Sequence, residues 1–205
     1  MVTVTDQDRA AVEAAIAAAR GRTSASVHCV LAESCGDYEL PALALATLLA
    51  LVAPWPMLWF TTWSAERILL AQAAIFALAL AILSVPRLRI LLTPPAVRRA
   101  QAHRAALEHF VLRGVDRSPG RNGVLVFASL RERYARVIAD ESAAKAIPRA
   151  DWQKAVDALT GRLAAGEVGA GYAAAVAACA DLLAAKFPVD AAGAPSAPRD
   201  GLHVV

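Results

Sequence analysis

The chain has 205 residues, 58% of them apolar, and a mean hydropathy of +0.46, high for a soluble domain. That length allows one domain of ordinary size plus something else. A net charge of +3 is too small to argue for nucleic acid, and an odd cysteine count (Cys29, Cys35, Cys179) with no CxxC spacing gives no support for a disulfide framework or a zinc knuckle. The charge is uneven. Residues 1–41 hold three arginines and six acids, net −3, whereas residues 86–205 hold 17 basic and 11 acidic residues, net +6.

The N-terminal MVTVTDQDR has neither a basic n-region nor an apolar h-region, so no signal peptide is expected there. Thr5-Asp6-Gln7-Asp8 reads as a capping box with Asp in the usual Glu place, opening a helix whose stripe is Val12, Ala15, Ile16 and Ala19 and whose stop is Gly21. Ser26 to Glu33 reads as a strand, with Val27, Cys29 and Leu31 on one face and His28, Val30 and Ala32 on the other. His28 reads first as a packed strand residue and second as a ligand. Cys29 and Cys179 sit in apolar surroundings, as buried thiols do.

Pro41 to Phe60 carries no charge, the length needed to cross a hydrocarbon core. Pro54 and Pro56 kink it or mark its far end. Trp55, Trp59 and Trp63 fit an aromatic belt around a short turn, and Ile68 to Val85 is a second uncharged run. A membrane hairpin over 41–86 is therefore expected. Arg87, Arg89, Arg98 and Arg99 follow its exit and place both ends on the cytoplasmic side by the positive-inside rule. Neither run holds an ionisable residue that would mark a transport pathway.

Thr93-Pro94-Pro95 opens a helix with Val97, Ala100, Leu107, Phe110 and Val111 facing inward, ended by Gly114. Its Arg98, Arg99 and Arg104 face reads equally as a surface for anionic headgroups or as a solvated face. Gly123 to Asp140 reads as a β-hairpin: an apolar strand from Val124, a polar link Arg131-Glu132-Arg133, and an alternating strand Tyr134 to Asp140. Ser142 to Arg149 reads as irregular. Trp152, Ala155, Val156, Leu159 and Leu163 form one helical stripe, and Val168, Tyr172, Val176, Cys179, Leu183 and Phe187 another. Val189 to Val205, rich in Ala, Pro and Gly, reads as a disordered tail. The strand at 26–33 is too short to stand alone and must pair with those at 123–140.

The residues Gly123 to Leu130, Glu132 to Asp140, Trp152, Leu182-Leu183 and Phe187-Pro188 resemble the second half of a TPM domain, over roughly 93–188 and more weakly 5–33. The resemblance implies an α/β fold with a small central sheet flanked by helices. It also implies divalent-cation binding, acidic phosphatase activity in plant members, and roles in assembly or repair of membrane complexes. The chain departs from that pattern in lacking the Leu-Pro lead-in and in carrying the hairpin after its first strand, as an uncharacterised bacterial membrane branch would.

The expected organisation is residues 1–40 as the first helix and strand, 41–86 as the hairpin, 93–188 as the remainder of the α/β domain, and 189–205 as tail. Glu33 and Asp140 both end strands. If those strands are neighbours their carboxylates converge, with Asp37 and Glu141 beside them, an oxygen set suited to Ca²⁺ or Mg²⁺. The other reading is a solvated sheet edge. There is no P-loop, GxSxG, HExxH or Rossmann glycine pattern. The expected function is a two-span inner-membrane protein whose α/β domain is an interaction or assembly module, with the bilayer and a membrane protein as partners and nucleic acid as none. The alternative is a membrane-anchored, metal-dependent phosphatase using the acidic cluster.

Overall fold

The computed structural model describes residues 4–36, 39–85, 93–189 and 202–205. It separates into two units, Met1–Cys35 with Ala102–Val205, and Gly36–Gln101.

The first unit begins with the capping box. The Asp8 N–H donates to Thr5 Oγ1 (3.1 Å) and the Thr5 N–H donates to Asp8 Oδ2 (2.9 Å), which starts α1 (Asp6–Arg20). Val12, Ile16 and Ala19 are its buried stripe. Strands β1 (Val27–Ala32), β2 (Val124–Ser129), β3 (Tyr134–Ala139) and β4 (Leu202–Val204) form one sheet in the order β3-β2-β1-β4. β1 runs parallel to β2 and β4, and β2 runs antiparallel to β3. The expected pairing of 26–33 with the hairpin is thus present, with Val27 opposite Val124 and Ala32 opposite Ser129.

Alternation along the strands divides the core. Val27, Cys29, Leu31, Val124, Val126 and Ala128 pack with α1, α7 (Arg149–Ala164) and α8 (Val168–Ala184). Val30, Ala32, Leu125 and Phe127 pack on the other face with Ala106 and Phe110 of α5 (Pro95–Leu112) and with Val115. Each fully buried Leu or Phe contributes about 1.5–3 kcal/mol relative to exposure. The Tyr172 hydroxyl donates to the Val30 carbonyl (2.6 Å) and ties α8 to the sheet, and burial holds that phenol well above its ordinary pKa. Gly169 lets α8 start against α1: its N–H donates to Asp8 Oδ1 (2.9 Å), and a Cβ there would meet Asp8 Cα at 2.6 Å.

Three sequence expectations are corrected. The inward face of α5 is Ala102 and Ala106, with Phe110 partly buried, whereas Leu107 (44%) and Val111 (54%) are exposed. Alanines let the helix backbone approach closely, and the larger residues of the competing stripe face out. Residues 142–146 are not irregular: Asp140 caps a short helix α6 (Glu141–Ala146) by accepting the Glu141 N–H (2.7 Å). The tail is ordered at its end. Leu202, 5% exposed, pairs with Cys29, and the Val205 N–H donates to the Leu31 carbonyl (2.9 Å). Residues 190–201 lie outside the described residues.

The second unit holds α2 (Glu39–Val52), α3 (Pro54–Phe60) and α4 (Ala65–Leu83). α2 and α3 are divided at Ala53, because Pro54 has no N–H to continue the ladder. Ala46 and Leu83 pack with Phe76, Ala79 and Leu80. Leu43–Phe60 and Ala65–Leu83 are each long and apolar enough to cross a membrane, and each is 11% buried.

Candidate functional site

The expected metal cluster is not assembled. β1 and β2 are parallel and β3 returns antiparallel, so Glu33 follows the C-terminal end of β1 while Asp140 lies at the opposite end of the sheet, its N–H bonded to the Gly123 carbonyl (2.8 Å). A six-residue strand separates those ends by roughly 20 Å. Asp37 lies outside the described residues. Among the described residues no group of three or more His, Cys, Asp or Glu is placed to hold a metal ion.

Asp140 and Glu141 do stand together, but a guanidinium sits where an ion was expected. Arg121 Nη2 is 3.5 Å from Asp140 Oδ1 and 3.7 Å from Glu141 Oε2, and Lys145 Nζ is 2.7 Å from Glu141 Oε1. The Lys145 hydrogen bond and charge, with Arg121 adding to them, hold the Glu141 carboxyl below its usual range. Asp140 is therefore a helix cap and ion-pair partner. Its Oδ2 is buried without a donor among the described residues. Glu33 is exposed and pairs with Arg131 (2.8 Å).

The side chains that do converge are at the other end. Glu132, read from sequence as part of a polar link, is 6% exposed. It accepts hydrogen bonds from the Ser129 hydroxyl, the Ser34 hydroxyl (3.1 Å) and the Cys35 N–H (3.1 Å). The hairpin turn places it there: Arg133 takes a positive φ of 50°, which lets Leu130–Arg133 close tightly and send Glu132 back under the end of β1. Ligands of open parallel sheets bind beyond the carboxyl ends of the strands, which is where this cluster lies. The sequence reading missed this cluster; the Ser129-x-x-Glu132 spacing, the pattern of a capping box, is the signal that could have found it. Chemically the cluster is a buckle. Burial pushes the Cys35 thiol up to about 11; the Ser129 hydroxyl opposes this and the Glu132 charge adds to it. A thiol so held is a poor nucleophile at neutral pH.

His28 is buried on β1. Cys29 and Cys179 are buried thiols, and burial pushes Cys179 up to about 12. In the second unit Trp55, Trp59 and Trp63 are exposed by 65%, 81% and 48%. Arg98 and Arg99 are in the first turns of α5, whereas Arg87 and Arg89 lie outside the described residues.

The fold and these sites define a mixed α/β protein with a four-stranded sheet and two helices of membrane-crossing length. No family model and no curated protein matches the chain. Among solved structures, the chain is similar to the NMR structure of the BA42 protein from the psychrophilic bacterium Bizionia argentinensis, with a TM-score of 0.60 and 13% identity over 98% of this chain and 95% of that one. At that identity the likeness is one of fold.

Proposed function

We propose that this chain is a two-span membrane protein whose α/β unit is a docking module for another protein. The carrying observation is the hairpin: two apolar helices, each 11% buried, with Trp55, Leu58, Trp59 and Phe60 exposed at the end of the first. Leaving such side chains in water forfeits about 25 cal/mol per Å² of apolar surface, and a bilayer recovers it. The tryptophans lie at the turn and arginines follow the exit, which supports inner-membrane insertion with both termini in the cytoplasm. The resemblance of residues 123–140 and Trp152 to the TPM family belongs to this reading, because assembly roles are what it implies. The phosphatase alternative finds no support in the geometry, since Glu33 and Asp140 stand at opposite ends of the sheet.

Alkaline carbonate washing of membranes from an expressing bacterium tests the anchor. The chain stays in the pellet if the hairpin spans the bilayer, and release into the supernatant would overturn the proposal.

A further inference from the structure

β3 is an edge strand, and its free side is chemically defined. The Asp140 N–H donates to the Gly123 carbonyl, so the ladder-bonded pairs with β2 alternate from there: Ile138 with Leu125, Arg136 with Phe127, Tyr134 with Ser129. The N–H and C=O groups of Ala135, Val137 and Ala139 therefore point away from the sheet. An exposed row of this kind is a template for another strand. Native edges are commonly blunted by proline, a bulge or a covering element, and β3 has six regular residues, all half-exposed.

A groove of about 500 Å³ runs along this edge, walled by β3 on one side and by Ala144, Ile147, Arg149, Trp152, Gln153 and Val156 on the other. Its lining includes Arg136 and Arg149 and no acid. Neither arginine is paired with a carboxylate among the described residues; Arg136 instead meets His103 Nδ1 at 3.2 Å. α7 begins at Arg149 with Pro148 in the cap position and no side-chain cap, so its first N–H groups add positive potential at the same place. The acid of that first turn, Asp151, lies outside the groove and is neutralised by Lys154 at 2.8 Å. Trp152 is 8% exposed, and its indole N–H has no acceptor among the described residues.

We infer that this groove takes an extended, acidic segment of a partner protein as a fifth strand beside β3. The partner's backbone pairs with Ala135, Val137 and Ala139, and the carboxylates on the face of the new strand that looks toward α7 meet Arg149. This rests on the reading of the α/β unit as a docking module and names the partner's chemistry.

The test is fluorescence anisotropy of the full chain in detergent micelles with a labelled octapeptide alternating Glu and Val. Two controls accompany it, a Lys–Val peptide and a Glu–Val peptide N-methylated at alternate amides. Saturable binding of the first, at least about tenfold tighter than either control, is expected. Val137→Pro removes an outward N–H and no ladder bond, so it keeps the circular dichroism spectrum and loses about tenfold in affinity. Arg149→Glu weakens the Glu–Val peptide and strengthens the Lys–Val one.

Equal binding of the acidic and basic peptides, unchanged binding by Val137→Pro, or no binding at millimolar peptide would each overturn the inference. So would self-association of the wild type that Val137→Pro abolishes, because a second copy then occupies the edge. A failed titration on a chain that resists carbonate removes this edge and leaves the anchored reading standing; release by carbonate with peptide binding intact does the reverse.

Discussion

Replacing Glu132 by Ala tests whether the buried carboxylate holds the end of β1 to the hairpin turn. The substitution leaves the Ser129 hydroxyl, the Ser34 hydroxyl and the Cys35 N–H without their acceptor. Ser129 is 3% exposed and has no water to turn to, whereas Ser34 and Cys35 are half-buried and are partly rehydrated. One stranded buried donor costs about 1–3 kcal/mol and each lost bond to a charged group about 1.5–3, not additively, so the expected loss is about 2–4 kcal/mol. Urea unfolding of the α/β unit in micelles, followed by circular dichroism, reads it. The same variant has a local readout. With its thiol at about 11, Cys35 is on the order of 0.1% thiolate at pH 8, against roughly a fifth for an unperturbed thiol of pKa about 8.5. Opening the buckle therefore speeds alkylation by iodoacetamide by one to two orders of magnitude. Cys29 and Cys179 are buried and stay silent. Unchanged stability together with an unchanged alkylation rate would refute the buckle.

Gly169→Ala drives a Cβ into the Asp8 backbone at 2.6 Å and displaces α8 from α1, lowering stability by about 1–3 kcal/mol in the same urea assay. Asp8 is held below the usual carboxylate range chiefly by the hydrogen bond from the Thr5 hydroxyl, then by the Thr5 N–H, with the Gly169 N–H adding to them. A depressed carboxyl stabilises above its unfolded pKa of about 3.9 and loses that contribution as pH falls through the folded value. Asp8→Asn is therefore less stable than wild type by about 1 kcal/mol near pH 7, and the gap closes below about pH 4. Asp140→Ala removes the α6 cap and the Arg121 pairing and costs about 1–2 kcal/mol, read by the same unfolding curves.

Much of the α/β unit was legible where local chemistry is strong. The Thr5–Asp8 box sets a helix start, the alternation of Val27 to Ala32 assigns its residues to two core layers, and the Tyr172–Leu183 stripe specifies one buried face. β4 was not legible: three residues after a Gly- and Pro-rich stretch carry no period, and only pairing with Cys29 to Leu31 makes them a strand. The α5 face was misread because alanine scores weakly beside Leu107 and Val111, although its small size is what suits it to the contact. The carboxylate cluster failed on topology. Strand ends were identifiable from sequence, but which ends share a side of the sheet depends on the parallel β1–β2 crossover. Glu132 was hidden because a charged residue in a turn reads as solvated until the backbone turns it inward.

The hairpin topology carries the account, and labelling with a membrane-impermeant maleimide in intact cells of a Gram-negative host measures it. Cys35 is first replaced by Ala. Single cysteines are then placed at Thr62, between the two helices, and at Ser196, near the C-terminus. The account predicts that Thr62→Cys reacts from outside the inner membrane and that Ser196→Cys reacts only after lysis. Labelling of both positions from the same side would contradict a hairpin that spans the bilayer.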